Sequence, residues 1–238
     1  MRIALVNKGT DVPLSTNAKA EHELVSERIV KMKWVIGITG GIGAGKSEVL
    51  ALLQKELSAT VILADEVAHE VMEPGQTAYK ELLQTFGRDF LQPDGSIDRR
   101  AFAALLFQTE GMREKVNAIV HPLVKQEIQR RVQASDTQWV FVEAALLIEE
   151  RYREDTCEEL WYVHAPRELR MQRLMQNRGY SREKCESIMN SQLPDAVFCK
   201  ECDRILENAG GPKELLANIR HLVEQFVLEK SKEGGVSH

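Results

Sequence analysis

Eight consecutive residues, Gly40-Gly-Ile-Gly-Ala-Gly-Lys-Ser47, carry the strongest chemical pattern in the sequence. They match G-x-x-x-x-G-K-[ST], which is typical of a loop that binds the phosphates of a nucleoside triphosphate. Glycines let successive backbone N–H groups turn inward around an anion, because no side chain blocks the close approach. The lysine can then reach the β- and γ-phosphates, and the hydroxyl of Ser47 can bind Mg²⁺. The residues predicted to bind the nucleotide are Gly41, Gly43, Ala44, Gly45, Lys46, Ser47 and Glu48.

The residues on either side of this loop supply the elements that must position it. Trp34-Val-Ile-Gly-Ile-Thr39 is apolar, rich in β-formers and uncharged, which predicts a strand buried on both faces. Val49-Leu-Ala-Leu-Leu53 then has apolar positions suited to a helix packed on a sheet. Because strand, glycine loop and helix follow in that order, the pattern indicates a phosphate-binding loop rather than a glycine-rich turn that binds nothing.

Two further apolar runs each end in a carboxylate: Ala59-Thr-Val-Ile-Leu-Ala-Asp65 and Trp139-Val-Phe-Val-Glu143. In a parallel sheet, the groups that face a ligand lie at the carboxyl ends of the strands. Asp65 is therefore predicted near the phosphates, and Glu143 is predicted to hold Mg²⁺ through a water molecule. The alternatives are that Asp65 caps a helix from Glu66 onward and that Glu143 is a capping or solvated acid.

The composition is that of an ordinary globular protein of 238 residues, 43% hydrophobic and 28% charged. A net charge of -5 argues against a general nucleic-acid binder. No run approaches the length of a membrane span, and the amino end lacks the apolar core of a signal peptide. We therefore expect a cytoplasmic protein, monomeric or a small homo-oligomer, whose partners are small molecules rather than nucleic acid or membranes.

Four cysteines are present, at positions 157, 185, 199 and 202. Cys199 and Cys202 form a lone C-x-x-C, and no second Cys or His pair at matching spacing completes a zinc site. The pair also follows a polar stretch instead of a strand, unlike a redox motif. We expect reduced structural thiols.

The remaining periodicity predicts an α/β protein with a mostly parallel five-stranded sheet and a helical insertion. Leu160–His164 and Arg204–Asn208 supply the last two strands, and a helix at 112–132 is interrupted at His121-Pro122. The last helix is expected from Pro212 to Leu228. The predicted parts are an extension at 1–31, either disordered or partly folded, a core at 32–65 and 136–228 containing a lid at about 166–200, the insertion at 66–135, and a tail at 229–238.

With these parts placed, the chain from Met32 to Phe226 resembles the dephospho-CoA kinase family. The P-loop and Ala64-Asp65 carry the resemblance, together with an ordered series of further markers. These are Pro74-Gly75, Phe86-Gly87, Asp94-Gly95, Asp98-Arg99, His121-Pro-Leu-Val124, Leu146-Leu-Ile-Glu149, Gln192 and Asn208.

The resemblance implies a three-layer P-loop NTPase fold with a coenzyme-binding insertion and a helical lid. It implies transfer of the γ-phosphoryl group of ATP, with Mg²⁺, to the ribose 3′-hydroxyl of dephospho-CoA, the last step of coenzyme A biosynthesis. Asp65, Lys46 and Arg173 would be catalytic, and Arg99 and His121 would bind the substrate with Asp65. Asn208 would bind the nucleotide.

Some positions depart from the family pattern. Leu63 stands where the family has the first Asp of Asp-Ala-Asp, and Asn177 stands where its lid has a second arginine, with Arg178 one residue later. The assignment of lid arginines to the phosphates depends on that shift. Another P-loop small-molecule or nucleotide kinase, and an adaptor NTPase without a small acceptor, are the alternative functions.

Overall fold

The computed structural model describes residues 33–108 and 111–234. Residues 33–223 form one compact unit, to which all of the site features below belong, and residues 224–234 fall outside it. The predicted extension at 1–31 lies outside the described residues, as does the end of the predicted tail from 235 onward.

A five-stranded sheet forms the centre of the compact unit. Its strands are β1 (Trp34–Thr39), β2 (Thr60–Leu63), β3 (Trp139–Glu143), β4 (Glu159–His164) and β5 (Arg204–Glu207). They lie in the order β2-β3-β1-β4-β5, and every pair of neighbours is parallel. All residues of β1 are buried, as its uncharged sequence predicts for a strand covered on both faces. The predicted α/β fold with a parallel sheet is confirmed.

The register of the central strands decides which residues meet at the carboxyl edge. Glu143, the last residue of β3, pairs with Ile38 on one side and with Leu63 on the other. The chain leaving β1 therefore enters the glycine loop beside Glu143, and the chain leaving β2 reaches Asp65 on the opposite side of it. The sheet brings together three segments that are far apart in sequence.

Ten helices are assigned within the described residues. They are α1 (Lys46–Leu57), α2 (Ala64–Val71), α3 (Thr77–Phe86), α4 (Arg99–Gln108), α5 (Met112–Ala134), α6 (Tyr152–Asp155), α7 (Arg167–Arg178), α8 (Arg182–Asn190), α9 (Asp195–Glu201) and α10 (Pro212–Gly234). Helix α10 continues past Leu228, its predicted end, so the predicted tail starts too early. No helix among these is long and apolar enough to cross a membrane.

Helices α2 to α5 occupy the chain between β2 and β3, and α5 contacts the other three. Helix α5 is continuous through Pro122, so the interruption predicted at His121-Pro122 is wrong. Val116, Val120, Val124 and Ile128 recur every four residues and are all buried. Packing of this apolar stripe outweighs the cost of a proline at an exposed helical position.

Replacing Pro122 with alanine is expected to stabilise the protein by about 1–2 kcal/mol, because alanine restores a helical N–H and removes the clash of the ring with the preceding turn. Urea unfolding followed by circular dichroism measures this free energy. Gln126→Ala, one turn further on the exposed side of α5, is the control and should change stability by less than about 0.5 kcal/mol. A Pro122→Ala variant no more stable than the parent would contradict the expectation.

Candidate active site

The glycine loop joins β1 to α1 and adopts backbone angles that favour glycine. Gly43 and Gly45 have φ values of 81° and 90°, in the left-handed region. A Cβ atom on Gly43 would also lie 2.7 Å from the carbonyl oxygen of Arg170, so helix α7 packs directly on the loop. The glycines thus serve both the turn and the close approach of a neighbouring helix.

Four backbone N–H groups of this segment have no hydrogen-bond acceptor within the described residues. Within the described residues, the N–H groups of Gly43, Gly45, Lys46 and Ser47 donate no hydrogen bond, whereas the Ala44 N–H donates to the Gly41 carbonyl. Helix α1 begins at Lys46, so the positive end of its dipole adds to these donors. Such a set of N–H groups suits a bound polyphosphate.

Lys46 is held at the base of the loop by two oxygen atoms. Its Nζ donates to the Gly40 carbonyl at 2.9 Å and lies 3.4 Å from Oε1 of Glu143. Burial raises the pKa of Glu143 above its ordinary value, the charge of Lys46 opposes that shift, and Asp65 adds to it. A lysine and two carboxylates therefore share one electrostatic environment at the carboxyl edge of the sheet.

A cavity of about 820 Å³ lies in front of the loop. Ser47, Glu48, Asp65, Glu143 and Arg173 all line it. Asp65 is in the first turn of α2, whose N-cap is the residue at position 63, so the alternative that Asp65 caps this helix is wrong. The structure does bring the carboxylates of Asp65 and Glu143 to the cavity that the glycine loop borders.

The arginines of helix α7 lie in different environments. Arg167 is exposed and donates to Oδ1 of Asn190. Arg173 lines the cavity and donates to the carbonyls of Ala44 and Asn208 at 3.3 and 3.0 Å. Asn177 and Arg178 line the same cavity, so the altered lid pattern still places a second arginine there.

Arg170, in contrast, is 4% exposed and forms an ion pair with Asp195. Its Nε donates to the Ile42 carbonyl at 3.1 Å, and the Ile42 N–H donates to Oε1 of Gln192 at 2.9 Å. No role of Arg170 was predicted from the sequence. Its spacing does not distinguish it from Arg173, because both positions lie on the same side of a helix.

Asn208, predicted to bind the nucleotide, is buried behind the loop with 1% exposure. Its Nδ2 donates to the Ala44 carbonyl at 2.9 Å, and its backbone N–H donates to the His164 carbonyl. Asn208 is absent from the residues that line the 820 Å³ cavity. It contacts the loop from outside.

A second cavity of about 270 Å³ lies between the helices that follow β2 and the segment that follows β3. Its lining is mainly apolar, and it includes His121, whose Nδ1 lies 2.6 Å from Oε1 of Glu150. Asp65 lines this cavity as well as the larger one. Arg99 is exposed at the start of α4 and lines neither.

The cysteines lie apart from both cavities. Cys157 and Cys185 are buried, Cys199 is exposed and Cys202 is half-buried, and all four are free thiols. Burial raises the pKa of Cys157 and Cys202 to about 12. These thiols stay protonated at neutral pH and are poor nucleophiles.

Comparison with known protein families gives a consistent result. The family model for dephospho-CoA kinase matches residues 34–214. Dephospho-CoA kinase of Carboxydothermus hydrogenoformans is 33% identical over 81% of this chain and 94% of its own length. The dephospho-CoA kinase of Geobacillus kaustophilus is 35% identical over 84% of this chain and its full length.

Solved structures show the same fold. A crystal structure from Thermus thermophilus superposes with a TM-score of 0.71 at 32% identity, covering 82% of this chain and 98% of that one. Dephospho-CoA kinase from Campylobacter jejuni, at 22% identity, gives a TM-score of 0.63 over 84% of this chain and all of its own, which supports the fold alone. The chain belongs to the dephospho-CoA kinase family.

Proposed function

We propose that this protein transfers the γ-phosphoryl group of ATP to the ribose 3′-hydroxyl of dephospho-CoA, giving coenzyme A and ADP. The observation that carries the proposal is the position of Asp65, which lines both the cavity at the glycine loop and the apolar cavity beside it. A carboxylate between two adjoining cavities can act on a hydroxyl of one ligand that faces the phosphate of another. Family membership supplies the identity of the two ligands.

The chain's own residues suffice for the main requirements of phosphoryl transfer, which are alignment and charge neutralisation. The N–H groups of the glycine loop and the Nζ of Lys46 hold the phosphates. Arg173 and Arg178 reach the same cavity from the lid and offset the charge that develops during transfer. Asp65 orients the attacking hydroxyl and accepts its proton.

The residues at the cavity also fit a bound Mg²⁺. Its preferred ligands are oxygen atoms, and the Ser47 hydroxyl and the Glu143 carboxylate both line the cavity. Ser47 would bind the ion directly and Glu143 through water. When bound with ATP, Mg²⁺ would neutralise the β- and γ-phosphates.

The acceptor is assigned to the 270 Å³ cavity, and with it the helical region at 66–135 is assigned to coenzyme binding. Phe102, Leu106 and Val120 provide apolar contacts there, while His121 provides a polar group at its wall. Arg99 lies outside this cavity in the present structure, so it would contact the acceptor only if α4 moves. The soluble substrates and the free thiols are compatible with a cytoplasmic enzyme.

A competition assay tests the reaction. Purified protein with MgATP is offered dephospho-CoA, phosphopantetheine, shikimate and nucleoside monophosphates as acceptors, and ADP release is coupled to NADH oxidation. We expect dephospho-CoA to support turnover at least about a hundredfold above the others, because two cavities must be filled together. Comparable turnover with a nucleoside monophosphate would instead favour the alternative of a nucleotide kinase.

Asp65→Asn tests the proposed base. It should lower kcat by about 10²–10⁴-fold while the KM for ATP stays near that of the parent, because proton acceptance is lost and phosphate binding is kept. Asp89→Asn changes an exposed carboxylate remote from both cavities and serves as the control. An Asp65→Asn enzyme with parental kcat would reject Asp65 as the base.

Glu143→Gln tests the electrostatics of the metal site in nucleotide-free protein. The native state holds the Glu143 proton more tightly than the unfolded chain does, since the folded pKa is raised above 4.5. Its contribution to stability is thus present below pH 4.5 and is lost as the pH rises through the raised pKa. As the pH rises through that pKa, the unfolding free energy of the variant should therefore increase relative to that of the parent. Urea unfolding at a series of pH values measures the difference. Glu149→Gln, which changes an exposed residue nearby, is the control and should show no such trend. The same trend in both variants would contradict the attribution of the effect to the Glu143 carboxyl.

A further inference from the structure

Two carbonyl groups of the glycine loop accept hydrogen bonds from side chains of other elements. The Ile42 carbonyl accepts from Nε of Arg170, and the Ala44 carbonyl accepts from Nδ2 of Asn208 and from Arg173. Arg170 and Asn208 are 4% and 1% exposed, and neither lines the 820 Å³ cavity. Arg170 and Asn208 therefore hold the loop on the side that faces away from this cavity, whereas Arg173 contacts the loop from the cavity itself.

Because the peptide bond is planar, holding the carbonyl group of one residue also fixes the direction of the N–H group of the next residue. In a trans peptide, the carbonyl of one residue and the N–H of the next lie in the same plane and point in opposite directions. Fixing the Ile42 carbonyl outward thus turns the Gly43 N–H inward, and fixing the Ala44 carbonyl does the same for the Gly45 N–H. These are two of the donors that have no acceptor within the described residues.

Ile42 is held through both its backbone carbonyl and its backbone N–H group. Gln192, in the segment between α8 and α9, accepts the Ile42 N–H at 2.9 Å, while Arg170 on α7 holds the carbonyl of the same residue. Arg170 is itself fixed by Asp195, whose Oδ1 also accepts from the Tyr162 hydroxyl at 2.7 Å. Because Tyr162 belongs to β4, the clamp is anchored in the sheet.

We propose that Arg170 and Gln192 are positioning residues for nucleotide binding: together they form a clamp on Ile42 that presets the Gly43 N–H toward the phosphates without touching the nucleotide. The loop then binds phosphate with little reorganisation, which preserves the affinity that ordering it would otherwise cost. The inference rests on the nucleotide-binding part of the proposed function, and it does not depend on the identity of the acceptor.

Gly41 provides a direct test of the arginine. A Cβ atom built on Gly41 would lie 2.3 to 2.7 Å from the guanidinium of Arg170, and Gly41 does not have a positive φ. Gly41→Ala should therefore be accepted by the backbone and should act by displacing Arg170. Arg170→Met keeps the apolar stem but removes the donor, and it leaves Asp195 with the Tyr162 hydroxyl and partial exposure to solvent.

The dissociation constants of ATP and of tripolyphosphate are measured by calorimetry for Gly41→Ala, Arg170→Met and the double variant. Each single change should weaken both ligands by about 10- to 100-fold, as expected for a lost hydrogen bond from a charged group and the loop order it maintains. The double variant should bind no more weakly than Arg170→Met, since the added methyl group then has space. Arg167→Met, on the exposed part of the same helix, should bind ATP like the parent.

Gln192 is tested by Gln192→Met, which removes the acceptor, and Gln192→Glu, which retains one. Gln192→Met should weaken the binding of ATP, and Gln192→Glu should restore part of that loss. The KM for dephospho-CoA should stay unchanged in both variants. A general loss of stability would affect ATP and dephospho-CoA alike, and it would not be reversed by restoring a hydrogen-bond acceptor at position 192. Circular dichroism establishes that each variant is folded, and if Arg170→Met does not fold, Gly41→Ala and Gln192→Met decide the question.

Affinities within about twofold of the parent in folded Gly41→Ala and Gln192→Met would overturn the proposal. Effects of Gly41→Ala and Arg170→Met that multiply in the double variant would also overturn it, because the methyl group would then act independently of Arg170. Wild-type protein that binds ATP without phosphorylating dephospho-CoA would reject the proposed reaction and leave the clamp standing.

Discussion

Parallel pairing of β1 with both β3 and β4 is the constraint on which the rest of the structure depends. It places the carboxyl ends of neighbouring strands at one edge, so that the glycine loop, Glu143 and the start of α2 meet although they are distant in sequence. The buried faces of β1 leave no freedom to shift its register without exposing apolar residues to water. A rigid strand therefore leads directly into a loop whose function requires open backbone donors.

Those open donors make the site costly to build. Backbone N–H groups without a protein partner are disfavoured unless water or a ligand satisfies them, and a loop this rich in glycine loses much entropy when it is ordered. The structure offsets that cost with contacts on the loop's carbonyls, from Arg170, Arg173 and Asn208. Lys46, shared between the Gly40 carbonyl and Glu143, adds a fourth contact.

The parts of the molecule that could be predicted from the sequence are those determined by local patterns. Continuous apolar runs identified β1 and β3 with the bounds that the structure has, and the order of strand, glycine loop and helix predicted helix α1 after the loop. Helix α5 was predicted to break at Pro122 because local propensity cannot weigh an apolar stripe packed against several elements. The contacts of Arg170 and Asn208 with the loop could not be predicted either, because they depend on which loop carbonyl each side chain reaches in the folded chain.

The placement of the tryptophans has a practical consequence for spectroscopy. The chain contains three, and all lie buried in the sheet: Trp34, Trp139 and Trp161. Trp34 and Trp139 begin paired strands with ring centroids 4.6 Å apart, and Trp161 lies 6.5 Å from Trp139. Trp34 is separated from the glycine loop by the length of β1, about 16 Å at the usual rise of a strand. Intrinsic fluorescence of this protein thus reports on the integrity of the sheet. Trp161 pairs with Ile38, two residues before Gly40, so of the three tryptophans it is the one placed to respond to events at the loop.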